Sequence, residues 1–474
     1  MATFLEQETS PRTTSIVSTI ALLAFLPLFI AGLYQIYSIL RAFGTPASIV
    51  VDTKTILEPV NTEFLRAYAQ GGEESKDMLA SVIPEVRALR PKIIRLDHIY
   101  DSYQVVGRSG NSLTFDWTRI DQAVNSIQAT GAKPLLALSY MPSVIAKDGN
   151  IISPPNNWDE WSYVVQQTIE HFSGRSNRNI SGMYYEVWNE PDLPQFGGWK
   201  LAGEKNYLTL YRYASIGAQN AKNVSTFSLG GPGTTGLYKN WIVALASSGS
   251  RLDFFSWHSY LTDPKQFDTD EHNLIQWLLP FPRYTLLPKF ITEFGFTGGK
   301  DQRYNTMFAA AHTAAVTRQI ISGGPTYIFT FQLKDGPNQE NGTGWGLISH
   351  ESQGKKLKPR YYTSNFLQEM AGNRLLLTGE GTWVTGFASV KNEIIRLMLV
   401  NFNAQNSKSE TVPISFLNLE PGVYTYREHF LLGRNVTFTE NVTDTTLQKQ
   451  IYMPINSVAI LELTKKATES AKTQ

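Results

Sequence analysis

The sequence predicts an α/β chain: a (β/α)8 TIM barrel with a C-terminal antiparallel β-sandwich and an N-terminal transmembrane helix. Three observations predict it. Short apolar strands alternate with amphipathic stretches from Asn61 to Gly372, as strand–helix units require. Two of those strands end abruptly in a glutamate, within Tyr184-Tyr185-Glu186-Val187-Trp188-Asn189-Glu190-Pro191 and Lys289-Phe290-Ile291-Thr292-Glu293. Barrels of this class carry their chemistry at the carboxyl ends of their strands. From Asn373 onward apolar and polar residues alternate between turns such as Pro421-Gly422 and Leu432-Gly433, the texture of a sandwich.

Along the chain, residues 1–13 read as a tail. No charge occurs between Arg12 and Arg41, and the stretch includes Ile20-Ala21-Leu22-Leu23-Ala24-Phe25-Leu26. A membrane span needs roughly 20 predominantly apolar residues, so residues 14–40 are expected to form a single uncleaved anchor. A cleaved signal peptide competes, but the apolar run exceeds the usual length and no A-x-A site follows. Residues 41–60 read as a linker, with Ser48-Ile49-Val50-Val51-Asp52 a candidate strand of the sandwich. The barrel is expected over 61–372. Its strands include Lys92–Leu96, Lys133–Ser139, Met183–Trp188, Ser228–Gly231, Asp253–His258, Lys289–Glu293 and Tyr327–Phe331, with the first within Asn61–Ala69. The β-sandwich is expected over 373–464 and a flexible tail over 465–474.

Composition excludes several classes. With 42% hydrophobic and 18% charged residues, the chain is not disordered as a whole. A net charge of +1 gives no footing for nucleic acid. The absence of cysteine excludes disulfides and thiolate metal sites. His171, His272 and His312 show no metal-ligand spacing, and no phosphate loop or G-x-S-x-G elbow occurs. Neither a metal nor a cofactor is expected. Ten Trp and 22 Tyr suit stacking on sugar rings, and equally suit the core of a large barrel.

Two strand-end carboxylates suggest glycoside hydrolysis, in which one acid protonates the leaving oxygen and a second attacks or activates water. Four motifs then occur in a telling order: Trp188-Asn189-Glu190-Pro191, Gly230-Gly231-Pro232, Asp253-Phe254-Phe255-Ser256-Trp257-His258-Ser259-Tyr260 and Ile291-Thr292-Glu293-Phe294. Together they resemble glycoside hydrolase family 39 of the clan A barrels, a family similar to β-xylosidases, α-L-iduronidases and some bacterial exopolysaccharide hydrolases. The resemblance implies that Glu190 is the acid/base and Glu293 the nucleophile of a retaining enzyme. It implies that Asn189 meets the sugar 2-hydroxyl and that His258 and Tyr260 support nucleophile and sugar.

The chain also departs from the family pattern. After Arg95, Asp97 stands where the family's histidine is expected and His98 is displaced by one residue. One step flips the face of a strand, so Arg95 and Asp97 are expected to point to the pocket together; His98 stays a candidate substrate contact although alternation alone puts it on the other face. In the last barrel strand Phe329, itself a candidate substrate contact, replaces a tryptophan and Leu333 an acid, and Trp345 is a candidate stacking platform beside it. These losses weigh against simple β-xylosidase activity. The expected function is a retaining glycoside hydrolase acting on a cell-surface or extracellular polysaccharide, anchored to the membrane with its catalytic domain outside the cytoplasm. An exo-acting β-xylosidase-like enzyme and a non-catalytic carbohydrate-binding barrel are the alternatives.

Overall fold

A computed structural model of the chain describes Leu26 and residues 44–337, 344–405 and 408–466. The first strand, β1 (Ile49–Val60), belongs to the C-terminal sheet. The barrel strands begin with β2 (Ala67–Gln70) and β3 (Ile93–Leu96). After a small hairpin, β4 (Val106–Ser109) and β5 (Ser112–Phe115), come β6 (Lys133–Leu138), β7 (Met183–Val187), β8 (Phe227–Thr234), β9 (Phe254–Tyr260), β10 (Lys289–Gly295) and β11 (Tyr327–Phe331). Eight of these close into a barrel in the order β10-β11-β2-β3-β6-β7-β8-β9, every neighbour parallel.

The outer helices begin where the sequence supplies caps. Asn157 accepts from the Asp159 amide, Asn206 from Leu208 and Thr306 from Phe308, each satisfying an amide that a helix start leaves free. The barrel interior is layered. Ala67, Ile93, Leu135, Phe254, Phe290 and Phe329 fill one apolar layer. Two residues further along β3, β7 and β9 the inward positions become Arg95, Glu186 and Ser256, all buried. The period of two along a strand places the polar layer directly above the apolar one.

The remaining strands are β12 (Gly372–Thr378), β13 (Val384–Lys391), β14 (Ile394–Asn401), β15 (Glu410–Leu417), β16 (Gly422–Phe430), β17 (Asn435–Val442), β18 (Leu447–Met453) and β19 (Ser457–Lys465). They are hydrogen-bonded as one nine-stranded sheet, β17-β16-β19-β14-β13-β12-β1-β15-β18, rather than as the two sheets of the expected sandwich. All pairs are antiparallel except β1 with β15. Val412, Ile414 and Ile451 at one end share a core with Tyr424, Tyr426 and Leu461 at the other. The sheet therefore curls on itself around one core, and β1 supplies the join that a true sandwich lacks.

One face of this sheet packs on the barrel. Phe387, Met398, Val400 and Ile460 belong to the barrel's own apolar cluster. Phe402 meets the helix Met307–Ile320 edge-on, its ring 5.1 Å from Phe308 and 5.4 Å from His312. His312 is buried, donates through Nε2 to the Leu261 carbonyl (2.8 Å), and is pushed down to about 3 by burial. It is a packing residue.

Among the described residues no helix is long and apolar enough to cross a membrane. The transmembrane helix expected over 14–40 is therefore corrected, and that segment, Leu26 apart, lies outside the described residues. An uncharged apolar run is a necessary condition for a span, not a sufficient one. The membrane partner and the single-pass anchoring rested on that helix and fall with it. The tails expected over 1–13 and 465–474 also lie outside the described residues, except Lys465 and Lys466.

Replacing Phe402 by Ala removes a ring at the junction of barrel and sheet. It is expected to cost about 3 kcal/mol in urea unfolding, with no change in far-UV circular dichroism of the folded state.

Candidate active site

Each side chain of the site is placed by a local backbone device. β7 stops at Val187, and the chain then turns through Trp188 (φ 75) and Glu190 (φ 44). Positive φ at a non-glycine residue costs of order 1–3 kcal/mol and needs surrounding structure to hold it. Here the Trp188 indole is fully buried against Tyr140, Trp161 and Trp199, and its Nε1 donates to the Phe196 carbonyl (2.8 Å). The Glu190 amide donates to the Gly233 carbonyl (2.9 Å). Gly233 itself lies at φ 61, and a Cβ there would stand 3.2 Å from the Glu186 carboxyl. The strained turn lifts Glu190 out of the strand and into the cleft.

Glu293 is aimed by a different device. Along β10, Ile291 pairs with Trp257 but Glu293 pairs with His258, so the register shifts between them. A bulge inserts one residue and re-aims the side chains beyond it. As a result the Thr292 hydroxyl reaches Glu186 Oε1 (2.8 Å) on the inside of the barrel, and Glu293 also faces inward.

Arg95 joins these parts. Its Nε donates to Glu186 Oε2 (2.7 Å), Nη1 to Glu293 Oε1 (2.9 Å) and Nη2 to Asn189 Oδ1 (2.7 Å), with no exposure to solvent. Asn189 Nδ2 donates to the Tyr140 hydroxyl (2.9 Å), and Tyr260 donates to Glu293 Oε2 (2.6 Å). His258 Nδ1 donates to Glu190 Oε1 (2.9 Å) and lies 3.6 Å from Glu293 Oε2. One ligating atom each of Glu190, His258 and Glu293 lie within 4.8 Å of one another.

The cleft above them holds about 600 Å³. It is lined by Asp97, His98, Asn189, Glu190, Tyr260, Glu293 and Trp345 among the expected residues, and by Glu73, Phe196 and Phe331 besides. Arg95 lies beneath and His258 behind, both fully buried. Phe329 is corrected: it sits in the apolar layer of the barrel, and Phe331, two residues later on the same strand, reaches the cleft instead. His98 does reach the cleft, against strand alternation but as a candidate contact should. β3 ends at Leu96 and His98 has φ 54, so strand alternation no longer governs and both Asp97 and His98 face the cleft.

Residues 73–282 of this chain match the family described as Glycosyl hydrolases family 39. The chain is 32% identical over 164 residues to a β-xylosidase of Caldicellulosiruptor saccharolyticus, covering 32% of each chain. It is 25% identical over 309 residues to a β-xylosidase of Geobacillus stearothermophilus, covering 56% of this chain and 58% of that one. Over these stretches the chain is similar to glycosyl hydrolase family 39. Its fold matches the crystal structure of a monomeric β-xylosidase from Caulobacter crescentus CB15 with a TM-score of 0.70 at 19% identity, over 89% of this chain and all of that one. The matched stretches span 32% and 58% of the two sequence relatives' lengths.

Within this cleft, protonation is governed by burial and charge. Burial pushes Glu293 above the usual carboxylate range, while His258 and Arg95 pull against it. Burial would also raise Glu186, but Arg95 and His258 overcome it and hold that carboxyl low. Burial pushes Glu73 up to about 7 and raises Asp97. Burial opposes the charge on His98, yet Asp97 and Asp101 outweigh it and push the ring up to about 9. His98 Nδ1 lies 2.8 Å from Asp101 Oδ2. A second group of possible ligands, Glu74, His350 and Glu351, already meets the Lys334 ammonium, 2.7 Å from Glu351 Oε2 and 3.6 Å from Glu74 Oε2.

Sequence reasoning missed Glu186, Tyr140 and Glu73. Glu186 had a signal, since a charged residue amid a buried aromatic strand needs a buried partner. Glu73 had none, because it stands in a loop.

The raised His98 fixes a pH dependence. Its protonated ring stabilises the fold fully below the unfolded value near 6.5, and that stabilisation is lost as pH rises through about 9. The stability gap between the parent and His98→Gln in urea unfolding is expected to be widest, at most about 3 kcal/mol, below pH 6.5 and to close by pH 10.

Proposed function

We propose that this chain is a retaining, exo-acting, β-xylosidase-like glycosidase of family 39. The observation that carries the reading is the mutual approach of Glu190, His258 and Glu293 within 4.8 Å. Retaining glycosidases hold their two carboxyl groups about 5–5.5 Å apart, and inverting ones about 6.5–9.5 Å to admit a water. The relatives named β-xylosidase support this reading over the polysaccharide expected from sequence. A cleft of about 600 Å³ suits a short glycoside, within the size range of small-molecule pockets. Paired carboxylates held this tightly weigh against a barrel that only binds sugar.

In this reading Glu293 attacks the anomeric carbon. Arg95 and Tyr260 each hold one of its oxygens, which orients the attacking lone pair. Glu190 gives its proton to the leaving oxygen, then takes one from the water that releases the glycosyl ester. His258 keeps Glu190 turned toward the cleft. Asn189 has its carbonyl on Arg95 and one amide proton on Tyr140. Its second amide proton remains for the sugar 2-hydroxyl, a contact that strengthens as positive charge develops on the ring.

Two outcomes test the roles. Glu293→Gly should abolish turnover of aryl xylosides, and azide should restore it with inverted anomeric configuration, read by NMR of the glycosyl azide. The same anomer as the substrate, or near-normal turnover without azide, refutes Glu293 as nucleophile.

Glu190→Ala should slow substrates with poor leaving groups by about 10²–10⁴-fold and activated ones far less. Azide should here give the retained anomer, because it intercepts the glycosyl-enzyme from the opposite face. A uniform loss across leaving groups removes Glu190 from the acid role.

A further inference from the structure

The cleft contains two carboxylates for which the two-step reaction has no use. Glu73 and Asp97 face it from the loops after β2 and β3. Asp97 is 4% exposed, and its Oδ1 has no hydrogen-bond partner among the described residues. Glu73 Oε2 is likewise buried and unpartnered. A carboxyl oxygen has lone pairs to accept hydrogen bonds, so each of these atoms can take one from a donor that an occupant of the cleft brings.

The backbone is shaped to hold Glu73 and, beside Asp97, the His98 ring. A Cβ at Gly336 would stand 2.5 Å from Glu73 Cβ, and one at Gly71 would stand 3.2 Å from Glu73 Oε1. A Cβ at Gly72 would lie 2.7 Å from His98 Cγ. The three glycines clear the space in which Glu73 and His98 sit. Cations are scarce by comparison. Among the described lining residues four are carboxylates, Glu73, Asp97, Glu190 and Glu293, against the single imidazole of His98. His98 is committed to Asp101, and the three nitrogens of Arg95 are committed to Glu186, Glu293 and Asn189.

We propose that Glu73 and Asp97 form the wall that selects the glycon: they accept hydrogen bonds from hydroxyls of a neutral sugar and turn away uronic acids. The assignment rests on the glycosidase reading of this cleft. A neutral sugar supplies hydroxyl donors to both orphaned oxygens. A sugar carboxylate meets no uncommitted cation among the described lining residues and faces acidic groups instead, a repulsive element of the kind that sets specificity.

The test compares 4-nitrophenyl β-D-xyloside with 4-nitrophenyl β-D-glucuronide on the full chain. The two share leaving group and anomeric configuration, so the ratio of kcat/KM reads the glycon alone. The xyloside is expected to be favoured at least ~100-fold. Glu73→Gln and Asp97→Asn keep the side-chain shape and should each raise KM for the xyloside about tenfold while shifting the ratio toward the glucuronide. Their dependence on leaving group should stay that of the parent. Binding is read apart from turnover by calorimetric titration of both glycosides into Glu293→Gln, where the xyloside should bind and the glucuronide should not. If no glycoside is hydrolysed but this binding preference holds, the proposed reaction fails and the selecting wall stands. Glucuronide bound or cleaved as well as xyloside, no binding of the xyloside, or an unchanged ratio in both variants overturns the wall.

Discussion

One buried guanidinium organises the mouth of this barrel. Arg95 has three different acceptors on its three nitrogens, Glu186, Glu293 and Asn189, drawn from β7, β10 and the strained turn after β7. A planar fork fixes the directions of all three at once, which the point charge of a lysine cannot do. Its charge also settles the electrostatics, because burial raises the cost of ionising Glu186 and Glu293 and Arg95 opposes it in both. Removing one partner of such a buried network leaves the others uncompensated, at a cost of about 3–5 kcal/mol. Thr292, the residue before Glu293, closes the circuit through Glu186. The two strands that carry the proposed acid and nucleophile are thus tied together below the cleft.

Strain and small residues do the rest of the positioning. The left-handed Trp188 and Glu190 are held by aromatic packing on one side and by the Gly233 carbonyl on the other. Next to them, β8 runs too close to its neighbours for side chains. A Cβ at Gly230 would stand 2.4 Å from the Phe254 carbonyl oxygen, and one at Gly231 2.6 Å from the Tyr207 hydroxyl. Gly230-Gly231 is therefore a packing requirement of the barrel wall, and through Gly233 that wall supports the turn that presents Glu190.

How much of this was legible in the sequence depends on how local the cause is. The barrel strands could be read because each is a short apolar run with its own boundaries, and Asn189-Glu190-Pro191 because a proline ends the strand where a carboxylate stands. His258 and Tyr260 share a face by strand period alone, and both reach the paired glutamates. What failed was non-local or sat beyond a strand end. Alternation placed His98 wrongly because the strand had already stopped. Phe329 fell in the lower layer because only depth along the barrel separates it from Phe331. The curled single sheet depends on β1, far away in sequence, bridging β12 and β15. An apolar stretch near the amino terminus could not, from hydropathy alone, be established as a membrane span.

A second buried arginine completes the support of Glu293 from the other side of the barrel wall. Arg360 lies on the helix Pro359–Gln368 and is almost fully buried. Its Nη2 donates to the carbonyl of Phe294 (3.1 Å), the residue after Glu293, and Nη1 donates to the carbonyl of Phe331 (3.2 Å) in the cleft lining. Nε donates to the Thr313 hydroxyl (3.0 Å) on the helix that carries the sheet contact. These three acceptors are all neutral, and burial lowers the affinity of Arg360 for its proton. The faces of Phe294 and Tyr304, 4.8 and 5.8 Å from the guanidinium carbon, offer partial compensation. Arg95 thus holds the Glu293 side chain from within the barrel, while Arg360 holds the backbone beside it from outside. Because Arg360 binds the helix against which Phe402 packs, the C-terminal sheet and the nucleophile strand share one support. That shared support gives the second sheet a mechanical role, since the helix it clamps is the one that fixes the strand end carrying Glu293.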